Sequence, residues 1–244
     1  MNDLMTISDF LKTKTYPGRG IYIECLKSDI LRIAYFIMGR STNSRNRIFQ
    51  EIEGGIETVC ADEGKMADPH LIIYNPVLTY ENFTIVTNGD QTNTIYDFAK
   101  EYSLESDCFE RALRARSFED DEPNFTPRIS AIVNHKSGDY KIAILKNGGG
   151  CGNHTLRYTY DYVNPRRDVG RIITTYVDDG SPLPSFVGEP HLLASANTCL
   201  NEFAYSIWDS LDAENKISLF VREINQTSGE VKDLIINKYE KVQA

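Results

Sequence analysis

The 244-residue chain is 41% hydrophobic and 25% charged, a balance that suits a folded protein and lies far from disordered composition. Its net charge of -9 argues against broad contact with nucleic acid or an anionic membrane surface. No apolar run reaches the roughly 18 residues of a membrane span. The start, Met1-Asn-Asp-Leu-Met-Thr6, has neither the basic nor the apolar region of a signal peptide, so the expected location is cytoplasmic, with no membrane and no nucleic-acid partner. No Pro- or Ser-rich linker divides the sequence, and residues 1–244 read as a single domain. Five cysteines, Cys25, Cys60, Cys108, Cys151 and Cys199, are odd in number and lack a Cys-x-x-Cys pair, which points to reduced thiols rather than disulfides or a thiolate zinc site.

Strand-like runs dominate in chain order. Residues 20–26 and 31–38 flank Lys27-Ser-Asp29, a hairpin turn. Residues 71–80 and 83–87 read as a second pair that ends at Asn88-Gly89, a tight-turn dipeptide. From Thr92 to about Ser117 the apolar residues recur at helical spacing. The segment Ser103 to Asp107 divides that block into two helices, with Ser106 or Asp107 as N-cap. Residues 129–134 and 140–146 flank another hairpin turn. Residues 191–210 carry Leu192, Ala196, Cys199, Leu200, Phe203 and Ile207 on one helical face. Residues 216–224 and 231–239 close the chain as a last strand pair. Connections this short require antiparallel pairing, and helices with one apolar stripe lie on sheets. The order reads as an α+β layered sandwich.

The glycine run Gly148-Gly-Gly-Cys-Gly-Asn153 follows a strand but lacks the Lys-Ser/Thr close of a phosphate loop, and a hairpin connection is the simpler reading. The four histidines, His70, His135, His154 and His191, are scattered, and no metal site is expected from them.

Six segments together resemble the archaeal-type IMP cyclohydrolase family. They are Tyr16-Pro-Gly-Arg-Gly20, Gly39-Arg-Ser41 with Ser44-Arg-Asn-Arg47, Asn75-Pro-Val-Leu-Thr-Tyr80, Val86-Thr-Asn-Gly89, Phe118-Glu119, and Thr126-Pro-Arg-Ile129. They fall in the family's order across roughly residues 16–134, and Ile172-Ile-Thr-Thr-Tyr176 extends the likeness more loosely. The stretch 178–189 is longer than the archaeal pattern. The resemblance implies a four-layer α-β-β-α sandwich of antiparallel sheets, similar to N-terminal-nucleophile hydrolases. It also implies cyclohydrolase activity without a metal or other cofactor, on a small-molecule purine ribotide, in a homo-oligomer. The hydrolase kinship raises a rival, an autoprocessed amidase, but the first core strand begins Gly18-Arg-Gly20 with no nucleophile.

In the implied reaction a carboxamide nitrogen attacks a neighbouring formamide carbonyl and water leaves. Glu119 is the candidate general base or proton shuttle, against the simpler reading of a solvated acidic run. Tyr80 is the candidate to hydrogen-bond the formyl oxygen or donate to the departing hydroxyl; otherwise it merely caps a sheet. Arg47 offers rigid forked donors for the oxyanion or carboxamide, with Arg45 as its rival. Arg40 and Ser41 suit a 5′-phosphate. Asn88 and Gly89 form a turn facing the site, where Asn88 is able to read a base or orient the carboxylate. Arg128 reaches substrate or pairs with Glu119, and Arg19 is a further ligand candidate. Two other functions stay open: a thiol-dependent amide hydrolase using Cys151, and a non-catalytic purine nucleotide-binding protein.

Overall fold

A computed structural model of the chain describes residues 4–65, 73–102, 107–149, 152–196 and 198–241. One six-stranded sheet holds β1 (Arg19–Cys25), β2 (Ile30–Met38), β10 (Val169–Thr174), β11 (His191–Ala194), β12 (Lys216–Asn225) and β13 (Val231–Asn237). Its spatial order is β11-β10-β1-β2-β12-β13. A seven-stranded sheet runs in chain order through β3 (Arg47–Ile52), β4 (Gly55–Cys60), β5 (Val77–Tyr80), β6 (Phe83–Thr87), β7 (Arg128–Asn134), β8 (Tyr140–Asn147) and β9 (Thr155–Tyr162). The named strands pair antiparallel throughout, as the short connections require.

The two sheets face each other across the largest core. Ile21, Ile23, Ile33, Tyr35 and Ile37 from the first sheet meet Phe49, Ile56, Val77, Val86 and Ile129 from the second. The alternate residues of β1 and β2, among them Tyr22, Ala34, Phe36 and Met38, turn outward onto α1 (Ile7–Lys12) and α5 (Leu200–Ser210). The outer face of the second sheet, with Ile85, Ile132, Ala143 and Leu145, lies under α3 (Gln91–Tyr102) and α4 (Cys108–Leu113). Burial on both faces makes these strands continuous apolar runs. Each buried Ile or Phe contributes roughly 1.5–3 kcal/mol. The order of layers is helix, sheet, sheet, helix, the α+β sandwich expected. Among the described residues no helix is long and apolar enough to cross a membrane.

Four expectations need correction or refinement. His191–Ala194 is not the first turn of a helix but an edge strand paired with β10, and the helix begins only at Leu200. A short apolar run such as Leu192-Leu193 fits either period, and the open sheet edge decided it. The strand anticipated over 71–80 is confined to Val77–Tyr80 among the described residues. The helical block anticipated to Ser117 ends at Leu113. Asp107 sits at the N-cap of α4 without a side-chain bond, and Ser106 lies outside the described residues. The β3–β4 hairpin, turning at Gly54 with φ of +77°, escaped notice because Gln50-Glu51 interrupts its alternation. The glycine run connects the antiparallel neighbours β8 and β9 and leads into a strand, not a helix.

Cys25, Cys60 and Cys108 are buried. Burial pushes the Cys25 thiol up to about 11, which disables it as a nucleophile. Cys151, the thiol of the amidase alternative, lies outside the described residues.

A polar network ties the sheets at the end remote from β1's start. Arg222 is buried, makes a bidentate pair with Asp233 at 2.8 and 2.6 Å, and donates to Thr84 Oγ1 at 3.1 Å. Thr84 Oγ1 is 2.7 Å from His135 Nε2. With its oxygen accepting from Arg222, the threonine hydroxyl donates to a neutral imidazole. Burial, and then the nearby Arg222, lower the His135 pKa from 6.5 to about 4. The unfolded chain therefore binds the extra proton first, so this group's contribution to stability is present above pH 6.5 and is lost as pH falls toward 4. Urea midpoints of wild type and His135→Gln at pH 7 and pH 4.5 are expected to show a smaller acid-induced drop in the variant. Equal drops would remove His135 as a source of acid sensitivity.

Candidate active site

Antiparallel pairing places the starts of β1, β3, β5 and β7 beside the ends of β2, β6 and β10. Their flanking loops meet at one open end of the sandwich. There a cavity of about 300 Å³ is lined by residues of both sheets, including Tyr16, Arg19, Arg47, Tyr74, Glu119, Arg128 and Tyr176. Its size lies at the lower bound of small-molecule pockets, roughly 300–1,000 Å³.

Arg47 begins β3 and has no solvent exposure. Its Nε donates to Ser44 O at 2.9 Å, while Nη1 and Nη2 have no partner. Arg19, at the start of β1, leaves its own Nε unpaired. Burial, and then the charge of Arg19, lower the Arg47 pKa. Neither arginine has a carboxylate within ion-pair distance among the described residues. Phenols surround them instead. Tyr74 faces the cavity and its hydroxyl lies 2.9 Å from that of Tyr35. Burial, and then Tyr74, raise the Tyr35 pKa well above its ordinary value, so Tyr35 remains a neutral phenol. Uncompensated buried charge is expensive, about 3–5 kcal/mol when a partner is removed from a buried pair. This floor is suited to an anion, or to an oxygen that becomes one.

Glu119 stands on the opposite wall, with its carboxylate 2.6 Å from Arg128 Nη2. Arg128 also lies 3.3 Å from Asp90, which a second cation, Arg116, contacts closely. Burial alone would raise the Asp90 pKa, but Arg116 and Arg128 outweigh it and hold it low. The pairing of Glu119 with Arg128 raised by the sequence is thus present. Gly89 makes room for it: a Cβ built there would sit 1.6 Å from Arg128 Nη1. Asn88 lines the cavity, but its amide is engaged with the backbone. Nδ2 donates to Pro127 O at 2.7 Å, and Oδ1 accepts from Ile129 N at 2.9 Å and Gln91 Nε2 at 3.0 Å. Asn88 thus latches β6 to β7 while lining the cavity.

The loop before β7 is pinned by Glu119 N donating to Thr126 O at 2.9 Å. Within it Asp121 accepts from Thr126 N and Thr126 Oγ1, both at 2.6 Å. The same Thr126 oxygen lies 2.5 Å from the Tyr176 hydroxyl. Tyr176 stacks on Tyr16 at 6.1 Å between centroids, and Arg40 lies over Tyr16 at 4.9 Å. At the exposed mouth, Arg40 pairs with Asp179, and Ser41 caps the single turn α2 (Thr42–Arg45) through a reciprocal bond with Ser44. Loop 178–189 supplies the last wall. Asp178 accepts from Thr15 N and Tyr16 N, and Leu183 reaches the cavity.

Thus Arg19, Arg40, Ser41, Arg47, Asn88, Gly89, Glu119 and Arg128 come together, and Tyr80 does not. Tyr80 ends β5 at the far side, roughly 10 Å along the strand from Val77, with its ring edge-on to Tyr96 of α3. The tyrosines at the site are Tyr16, Tyr74 and Tyr176, of which Tyr74 lies six positions before Tyr80, beyond the strand's other end. Arg45 is likewise spent elsewhere, donating to Gly39 O at 2.9 Å and Asn215 Oδ1 at 3.2 Å. Tyr16, Tyr74, Asp121, Thr126 and Tyr176 were not singled out in the sequence, although all but Asp121 and Tyr74 lie within the segments quoted above.

A family model described as IMP cyclohydrolase-like protein matches residues 16–229. A protein of Methanothrix thermoacetophila named IMP cyclohydrolase is 28% identical over 134 residues, covering 52% of this chain and 62% of the relative. One of the same name from Methanosphaera stadtmanae is 27% identical over 157 residues, covering 62% of this chain and 76% of the relative.

Gly89→Ala is expected to leave the thermal midpoint within a few degrees, because the obstructing atom is the end of a flexible side chain, and to drive Arg128 off Glu119. A crystal structure of the variant checks this; an unmoved Arg128 would mean that the backbone yields instead.

Proposed function

The chain belongs to the IMP cyclohydrolase-like protein family, and from that premise we propose that it closes the purine ring, converting 5-formamidoimidazole-4-carboxamide ribotide to IMP with loss of water. The carrying observation is the buried guanidinium of Arg47, whose Nη1 and Nη2 have no partner, beside Arg19 in a cavity that phenols and the Arg128–Glu119 pair also line. A purine ribotide is the small-molecule partner, and the cytoplasm is the proposed place of work.

Ring closure joins the carboxamide nitrogen to the formyl carbon. Both groups sit on one imidazole, so effective concentration is built into the substrate. The proton balance sets what the protein must do. One proton leaves the carboxamide nitrogen as it attacks, and another leaves the former formamide nitrogen as the double bond forms. Both end on the formyl oxygen, which departs as water. That oxygen gains negative charge in the attack, and Arg47 with Arg19 supplies forked donors already in place, at the kind of site where preorganised dipoles lower barriers most. Tyr74 stands beside them as a hydroxyl donor. Glu119, oriented by Arg128, carries the formamide proton to the leaving oxygen. Arg40 and Ser41 at the mouth receive the 5′-phosphate, which replaces Asp179 as the partner of Arg40.

Purified protein incubated with the formamido ribotide is expected to produce IMP, followed by ultraviolet absorbance. Arg47→Lys keeps a charge but loses the fork and is expected to lower kcat about 100- to 1,000-fold. Glu119→Gln is expected to cost about 100-fold, whereas Tyr80→Phe is expected to stay within about two-fold of wild type. Ribotide binding without turnover by the wild type would replace the enzyme reading with that of a binding protein.

A further inference from the structure

The hydrogen bonds of Asp121, Thr126 and Tyr176 have a fixed direction. A carboxylate only accepts, so the single hydroxyl proton of Thr126 points to Asp121 Oδ2 at 2.6 Å. The Thr126 backbone N–H, aimed at Asp121 Oδ1 at 2.6 Å, holds the carboxylate in that pose. The 2.5 Å contact between Thr126 Oγ1 and the Tyr176 hydroxyl then needs its proton from Tyr176. Tyr176 therefore turns only oxygen lone pairs toward the cavity it lines. It is set to accept a proton. Glu119 already holds Arg128 at 2.6 Å, so a second acceptor for protons leaving the substrate has a place in the reaction.

We infer that Tyr176, Thr126 and Asp121 form a proton relay that takes the proton of the attacking carboxamide nitrogen. This rests on the ring-closure reading above. As the carbon–nitrogen bond forms, the N–H proton moves to the Tyr176 oxygen, the phenol proton to Thr126 Oγ1, and the threonine proton to Asp121 Oδ2. The electron pair of the formyl π bond moves onto its oxygen, where Arg47 and Arg19 face it. When that oxygen leaves, the same proton returns along the chain to it, the second proton arrives through Glu119, and Asp121 is again a carboxylate. Atoms and charge balance without any further reactant. Tyr176 is the catalytic residue of the three; Thr126 and Asp121 position and drain it. Burial raises the Tyr176 pKa, which keeps it a neutral phenol that can pass a proton on without first losing one.

The test compares wild type, Thr126→Val, Thr126→Ser and Tyr176→Phe with the formamido ribotide in steady state and in mixed water and deuterium oxide. Valine matches the threonine shape but breaks the chain, and kcat is expected to fall about 30- to 100-fold with KM within about three-fold. Serine restores the hydroxyl and is expected to recover most of kcat. Tyr176→Phe, which keeps the ring that stacks on Tyr16, is expected to follow the valine variant if the latter folds poorly. A curved dependence of kcat on deuterium fraction in wild type, becoming linear in Tyr176→Phe, is the signature of several protons moving together. A raised KM with unchanged kcat in both Thr126→Val and Tyr176→Phe would overturn the relay and make Tyr176 an acceptor for a ribose hydroxyl. Wild type without turnover would overturn the ring-closure reading and the relay with it; an active wild type with undiminished variants would overturn the relay alone.

Discussion

Arg19 opens the first strand of one sheet and Arg47 the first strand of the other, and the open end of the sandwich is organised around their mutual repulsion. Neither has a carboxylate partner among the described residues, and Arg47 has no exposure to water. Low dielectric makes such a pair costly and also makes it strong toward any negative charge that enters. The surrounding phenols supply polarity without cancelling the charge. Two of the carboxylates lining the cavity are diverted, Glu119 to Arg128 and Asp121 to Thr126. Had either reached Arg47, the cavity would be a closed ion pair with nothing to offer a ligand.

The scaffold contributes by register. In two facing antiparallel sheets every second strand begins at the same end, so residues at those starts and at the ends of the neighbouring strands converge although they are far apart in the chain. Tyr176 and Thr126 are 50 positions apart and 2.5 Å away from each other. The inter-sheet core between Ile21, Tyr35, Phe49 and Val77 fixes the separation of the two arginine-bearing strands. Small changes in that separation alter donor geometry at the floor, which places part of the site's accuracy in apolar residues well behind it.

Much of this was legible in the sequence, for identifiable reasons. Strand pairs were legible where both faces are buried and a short polar turn joins them, as in β1–β2 and β7–β8. His191–Ala194 was misread because four residues cannot distinguish a period of 2 from one of 3.6, and sheet-edge pairing is a tertiary fact. The arginines stood out as clustered cations in an acidic chain. Tyr80 closes the Asn75-Pro76 segment and Tyr74 stands just before it, and only strand direction tells which end faces the site. The Asp121–Thr126–Tyr176 chain was out of reach, since hydrogen bonding between distant loops leaves no local pattern.

Loop 178–189 serves both sheets at once. Its Phe186 enters the inter-sheet core, Phe186 N donates to Thr175 O at 3.0 Å, and Lys146 of β8 donates to Phe186 O at 2.8 Å. Its Leu183 meanwhile reaches the cavity, and Asp178 clasps the segment that carries Tyr16. Its tip is held more lightly: Val187 is exposed, a Cβ at Gly188, at φ of +87°, would meet nothing, and the Tyr160 hydroxyl donates to Gly188 O at 2.8 Å. Descendants of this sequence therefore have little freedom to lengthen or shorten the loop before Phe186. Insertions that survive selection should gather at Val187–Gly188, making that tip the place where lineages of this protein diverge while the wall beneath it stays the same.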